Sequence, residues 1–315
     1  MKSLPVYADL RTTNGDVLQL APLRSWEILR TNGEDGCDAI RFVTQPDYNA
    51  AQLERVNNLR AFCGGSLVFT GYVDELACGV SRQGSALTVC GRGNAARLLD
   101  NQVTSEVFRK LTTGELLRRY VHPLGVSVSE TAPASVARFA VSCGNSVMQV
   151  VQGFCVHAGL KPPMFDTRGG MLLRAAYPNT NVLFDATKVR AATYHDCRYG
   201  VLSRMELRHT RTGQKQVATY PAFSARGGLC RHYGMYSGTD IPATWRTADQ
   251  RVAQARSGEF TLELTVDDQF PCLPGTMVTV LLPKLGVEGQ FCVRAVRSVG
   301  NEQGCCAIVS LRREG

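Results

Sequence analysis

The sequence predicts a mainly β chain with an α+β insert: two β-rich modules with a small α/β domain between them. Three observations predict this. Apolar residues alternate at period two through much of residues 1–100 and again through 257–315. Between about 101 and 185 the texture changes to short amphipathic segments of helical spacing. The length, 315 residues, suits about two compact units at roughly 150 residues each, and 44% hydrophobic with 20% charged residues is the balance of a chain that buries a core.

The N-terminal module reads as strands and turns. Pro5–Leu10 alternates, and Thr13-Asn14-Gly15-Asp16 is a hairpin turn before Val17–Leu20, since Asn and Gly accept the backbone a tight turn needs. Trp26–Arg30 and Asp38–Val43 are the next strands, and Asn49–Arg60 reads as a short charged helix or turn. Cys63–Glu75 reads as a further strand pair centred on Leu67–Glu75, followed, after a turn at Gln83–Ser85, by Ala86–Arg92. The module covers 1–100 and is expected to be completed by strands from about 186–222.

Ala95–Asp100 has helical spacing and no β-branched residue. In the 101–185 domain, Thr113-Gly114-Glu115 opens a helix over Leu116–Val121 that Pro123 and Gly125 stop. Another runs from about Ser146 to Ala158, apolar at Val147, Val150, Val151, Phe154 and Cys155, and Gly159 ends it. Pro163–Asp166 and Met171–Arg174 flank Thr167-Arg168-Gly169-Gly170, a hairpin pattern. Strands return at Tyr199–His209 and Gln216–Tyr220. Ser224–Gly238 reads as a Gly-rich surface loop and Thr247–Ala255 as a charged helix, making 223–256 a loop and helix connector. The C-terminal module, 257–315, holds Glu259–Val266, Met277–Leu282, Gln290–Val296 and Ala307–Leu311, with a Leu273-Pro274-Gly275 turn before the second.

Lys plus Arg number 35 against 27 Asp plus Glu, a net charge of +8. The excess is mostly Arg and scattered, as at Arg118-Arg119, Arg208 with Arg211, and Arg312-Arg313. No basic block interleaved with aromatics suggests a groove tracking a phosphate backbone. The excess reads as solvated surface and contact material, because Arg is common in protein interfaces. No apolar run approaches the roughly 20 residues of a membrane-spanning helix, and Met1–Leu10 lacks the pattern of a secretory leader. The 12 cysteines show no two-residue spacing of a zinc knuckle or redox pair. They read as reduced small hydrophobes in a cytoplasmic chain, with Cys90 and Cys292 inside strand patterns.

No catalytic constellation stands out. The 5 histidines have no three- or four-residue spacing between them. Cys155 and His157, two apart on a predicted helix, face different ways. His195-Asp196-Cys197 has ligand types but no distant partner. Gly91-Arg92-Gly93-Asn94 imitates a nucleotide loop yet lacks the third glycine and the acidic residue of a second strand. Asp74-Glu75 and Asp267-Asp268 are sequence neighbours that point to different faces. No catalytic, cofactor or metal residue is assigned; a chain of this size without them works through surfaces.

Val68-Phe69-Thr70-Gly71-Tyr72-Val73-Asp74-Glu75, then Leu87-Thr88-Val89-Cys90-Gly91-Arg92-Gly93, then Ala95-Ala96-Arg97-Leu98-Leu99-Asp100-Asn101, resembles phage tail baseplate hub proteins of the Mu-like and defective Bacillus-type prophage kind, related to the late control protein D family. The order continues with the helix at 116–121, the helix at 146–159 and the hairpin at 163–174. The Pro274–Val278 turn and Gly289–Val293 strand are similar to the family's end, so the resemblance covers most of the chain.

The resemblance implies two tail-tube-like barrel modules per chain. It implies a homotrimer forming a pseudo-sixfold ring, with the hexameric tail tube above and the trimeric spike below, in a phage tail or a related contractile injection particle. It further implies no cofactor, no membrane, synthesis in a bacterial host cytoplasm, and assembly into the virion tail. DNA would pass through the lumen without specific binding, so the Arg excess is expected outward or at interfaces. Tyr72, Asp74, Arg92, Arg97, Arg118, Arg119, Arg208 and Arg312, as exposed Arg and aromatic residues on predicted strand edges, are the expected interface residues. Two other classes stay open. A cell-wall-degrading tail-tip enzyme needs a carboxylate or Cys/His pair that the sequence does not display, and a nucleic-acid-binding protein is suggested by the net charge.

Overall fold

Alternation of buried and exposed side chains makes each N-terminal strand a one-sided ribbon, and such ribbons bury their apolar faces by curling into a sheet. The structure, a computed structural model, describes residues 4–34, 36–82 and 84–313. The first module contains β1 (Val6–Thr12), β2 (Val17–Gln19), β3 (Ser25–Thr31), β4 (Ala39–Thr44), the single turn α1 (Ala50–Leu53), β5 (Val56–Cys63), β6 (Ser66–Ser81) and β7 (Gly84–Gly93). They pair in the order β3-β4-β7-β6-β5-β1-β2 around Ile28, Phe42, Leu59, Phe69 and Leu87. The expected helix or turn over Asn49–Arg60 is only α1. Its second half is strand β5, because Leu59, Ala61 and Cys63 are buried at period two, and this outweighs the flanking charges.

The chain leaves β7 through α2 (Ala95–Asp100), whose Ala95 and Leu98 enter the core of the α/β insert. The insert continues with β8 (Glu106–Thr112), α3 (Thr113–Leu116), β9 (Val128–Thr131), β10 (Ser135–Val141), α4 (Val147–Ala158), β11 (Met164–Phe165) and β12 (Met171–Leu173). Capping boxes start both helices, Thr112 with Glu115 and Ser146 with Gln149. Leu117–Val121 prolongs α3 as a wider turn until Pro123 and Gly125 end it. Phe139 and Phe154 meet edge to face in the centre of this core.

The remaining elements are β13 (Asn179–Asp185), β14 (Val189–Asp196), β15 (Arg204–His209), β16 (Lys215–Thr219), α5 (Pro221–Ala225), β17 (Arg231–Tyr236), β18 (Ile241–Pro242), α6 (Ala248–Ser257), β19 (Phe260–Val266), β20 (Met277–Leu282), β21 (Val287–Asn301) and β22 (Gly304–Arg312). The strands from 186–222 do not complete the N-terminal module. β14 pairs with β19, β13 pairs with β20, and β15 with β16 belongs to a separate three-stranded sheet. The N-terminal sheet offers them no edge at β3, which is already occupied on its outer side by β21. The connector at 223–256 is also more ordered than a loop and helix, since β17 pairs in parallel with β15. β18 returns to the insert and pairs with β10. That return needs Gly153 on α4: a Cβ there would stand 2.1 Å from the Ala243 carbonyl oxygen.

β21 links the modules. Its first half pairs with β20, from Leu282↔Val287 to Met277↔Cys292. A bulge between Val293 and Ala295 then turns it, and Ala295–Asn301 pairs with β3. Both modules therefore form one 13-stranded sheet.

Cys63, Cys155 and Cys292 are buried, as small hydrophobes would be, whereas Cys78, Cys143 and Cys197 are exposed, which the core-filler reading did not foresee. Burial pushes the Cys37, Cys155 and Cys272 thiols up to about 12. At about pH 8, near the ordinary thiol value, iodoacetamide is expected to label Cys78, Cys143 and Cys197 quickly. It should spare Cys37, Cys155 and Cys272 until the chain is denatured, as peptide mass spectrometry will read.

Candidate assembly surfaces

β6 and β7 bring several expected contact residues into one place. Asp74 is the extra residue of a bulge in β6, between Val73 opposite Gly91 and Glu75 opposite Cys90, and a bulge re-aims its side chain. Arg92 meets it with Nε to Oδ2 at 2.9 Å and Nη2 to Oδ1 at 3.0 Å. The same guanidinium reaches Asp100 at 3.0 and 2.7 Å, so one Arg clamps the bulge to the end of α2. These hydrogen bonds hold the Asp100 carboxyl below the usual carboxylate range. Beside it the Arg97 guanidinium lies 4.1 Å from the Tyr72 ring centre. Arg97 also donates Nη1 to the Leu124 carbonyl at 2.7 Å. Burial raises the Tyr72 phenol, with Arg97 opposing. Tyr72, Asp74, Arg92 and Arg97 thus form a partnered cluster that fastens the insert to the N-terminal sheet and keeps a half-exposed rim.

Arg312 departs from its expected exposure. It is 9% exposed and its guanidinium pairs with Glu34, because the β3–β4 loop folds over the end of β22. Just before this loop, buried Arg30 of β3 donates Nε to Asp38 Oδ2 at 2.8 Å, Nη1 to the Val68 carbonyl at 3.2 Å and Nη2 to the Phe165 carbonyl at 2.8 Å. The Thr31 N–H donates to the other Asp38 oxygen at 2.7 Å. Burial pushes the Asp38 carboxyl up, while Arg30 and Thr31 pull it back. Gly33 completes the junction with φ +78°: a Cβ would lie 1.8 Å from the Pro163 carbonyl oxygen. Both modules and the insert meet at this loop.

Arg118, Arg119 and Arg208 stand elsewhere and are exposed. Arg119 pairs with Glu106 and lies over Phe108 on the insert. Arg208 projects from β15 opposite Lys215 of β16.

Sequence reasoning did not single out the open strand edges. The 13-stranded sheet ends at β2 on one side and, because it branches at β21, at both β14 and β13 on the other. Only Val189 and Ala192 of β14 are partly covered. The β6–β7 hairpin also runs beyond the core, with Cys78 exposed and Val80 at 90% exposure. Period two in β14 is almost absent because both its faces are wet, so little hydrophobic signal could reveal it.

The residues with catalytic potential are not brought together. Cys155 is fully buried. His157 stacks on Trp245, and burial, with Arg246 adding, holds it below the ordinary histidine value. His195 is exposed beside Glu263 at 3.8 Å. Among the described residues no three His, Cys, Asp or Glu are grouped to hold a metal ion, and no helix is long and apolar enough to cross a membrane.

Compared with solved structures, the chain matches the tail protein of Neisseria meningitidis MC58 with a TM-score of 0.77 at 17% identity, over 99% of this chain and 97% of that one. It matches the 43 kDa tail protein of prophage MuSo2 from Shewanella oneidensis at 0.75 and 16%, over 98% of each. A component of the E. coli type VI secretion system, described as structurally similar to bacteriophage T4 tail proteins, matches at 0.57 and 12%, over 97% of this chain and 77% of that one. No family model and no curated protein sequence matches. At these identities the likeness is one of fold: the chain has the fold of phage tail proteins, mainly β with two barrel modules and an α/β insert.

Replacing Arg30 by Met leaves Asp38 buried without its cation. Urea unfolding is expected to show a loss of about 3–5 kcal/mol, and Arg30→Met combined with Asp38→Leu is expected to recover most of it. A loss below about 1 kcal/mol, the scale of a surface pair, would remove this pair from its structural role.

Proposed function

We propose that the chain is a structural baseplate hub protein of a phage tail or phage-tail-like contractile injection particle, acting as a homotrimer. The observation that carries this is the β3–β21 junction. It joins two barrel modules edge to edge and leaves β2 free at one end and β13 and β14 free at the other. Repeating such a contact head to tail between chains covers β2 and a free strand of the second module, and three chains close a ring of six modules. Residues 1–100 supply one ring position, and 257–315 with β13 and β14 the next, while 101–185 projects between them. The hexameric tail tube stacks above and the trimeric spike below. The near full-length match to two tail proteins supports the reading.

The role is structural rather than enzymatic, in keeping with a buried Cys155 whose thiol is pushed up to about 12. DNA passes through the lumen unbound, with the Arg excess outward or at contacts.

Light scattering and negative-stain images test the trimer. The expected result is a trimeric mass with ring-shaped particles. Ala191→Lys with Thr193→Lys on the β14 edge should give a folded monomer, since edge lysines oppose strand addition. A stable monomer at high concentration, unchanged by these substitutions and by added tube protein, contradicts the ring. Salt-sensitive micromolar DNA binding by the assembled particle contradicts the unbound lumen.

A further inference from the structure

The small sheet β16-β15-β17 is packed on one face only. Met205, Leu207 and Ala218 point into a core closed by Ala248 and Val252 of α6. By alternation Arg204, Glu206 and Arg208 of β15 point outward, and Arg231, Tyr233 and Met235 stand opposite them on β17. Tyr233 is 68% and Met235 77% exposed, and Leu229 just ahead of β17 is 75% exposed. These three form an apolar strip on a face where Arg204, Arg208, Lys215 and Arg231 outnumber the carboxylate of Glu206. Arg204 and Lys215 share the carboxylate of Glu206 at 3.1 and 3.2 Å. Arg208 and Arg231 have no carboxylate partner among the described residues. A hollow of about 450 Å³ opens between Leu229, Tyr233 and Pro221. β17 ends the sheet, so its outer edge has no strand beside it.

We propose that this face and the free edge of β17 dock an acidic, extended segment of a partner protein by strand addition. The edge offers main-chain hydrogen bonds to an extended chain. Only every second side chain of that chain stands on this face; acidic ones among these reach Arg208 and Arg231, and apolar ones in turn with them cover Tyr233, Met235 and Leu229. Tyr, Met and Arg are the types that carry protein contacts. A nucleic acid backbone uses the cations but gains nothing from Met235 and Leu229. A second copy meeting face to face brings like charges together, which disfavours self-association here. The inference does not rest on the ring, whose edges belong to a different sheet.

The test uses the full chain and a short fluorescein-labelled peptide with Glu and Val in turn at every second position and Thr between them, so that both types share one face, read by fluorescence anisotropy at low salt. A Lys and Val peptide and a single-stranded oligonucleotide serve as competing probes. The expected result is binding of the Glu peptide alone, with slowed amide exchange across Arg231–Tyr236. Arg208→Glu with Arg231→Glu, both exposed and so compatible with folding, should weaken it by about tenfold or more. Met235→Ser should weaken it without changing the charge. No binding of the Glu peptide overturns the proposal, as does oligonucleotide binding abolished by the same reversals, peptide binding that leaves β17 exchange unchanged, or self-association lost on reversal. The peptide, oligonucleotide and exchange outcomes leave the trimer mass unchanged, so the two readings fail separately.

Discussion

The pairing of β3 with β21 is the constraint on which the other contacts depend. Ser25–Thr31 lies antiparallel to Ala295–Asn301, so one edge of the first module is supplied by one of the last strands of the chain. On the outer face Glu27 takes Arg297 with two hydrogen bonds at 2.7 and 3.0 Å. On the inner face Ser298 donates to the Gln269 carbonyl at 2.5 Å, and the Gln269 side chain holds both the N–H and the carbonyl of Leu4 at 3.0 and 2.9 Å. Trp26 stacks on Phe270 at 5.9 Å. A segment of the second module thus laces the start of the first, and contacts this distant in sequence make folding slow as well as cooperative.

The insert is held to this junction by the next loop. Arg30 is the penultimate residue of β3, and its donors divide between Asp38, β6 and β11. Glu34 reaches across to Arg312 at the end of β22. Arg92, clamped between Asp74 and Asp100, fixes the other end of the insert through α2. The three units are thus tied at two places.

What the sequence made legible follows from where its signals are local. Strands with one wet and one dry face are readable, as in β3, whose Trp26, Ile28 and Arg30 alternate with half-covered residues. α4 and α6 carry capping boxes three residues wide, at Ser146 with Gln149 and Thr247 with Gln250. β5 was hidden because Arg60 looks like solvated surface, although it pairs with Asp9 of β1. β10 was hidden in part by Arg138, a residue other than glycine that sits at φ 54° in mid-strand. Tyr72, Asp74, Arg92 and Arg97 were legible as residue types, but their clamp depends on a bulge that no spacing announces. The burial of Arg312 depends on Glu34, 278 positions away. The partners of β13 and β14 depend on which edges other strands leave free, which is a property of the finished sheet.

Hydrogen exchange under increasing denaturant tests the central role of the β3–β21 pairing most directly. If it joins the modules into one cooperative unit, the amides of Ser25–Thr31 and Ala295–Asn301 exchange only with global unfolding, together with those of both module cores. If these amides exchange at lower denaturant while Leu59, Phe69, Leu264 and Val309 remain protected, the modules are independent bodies and the pairing is not the constraint described.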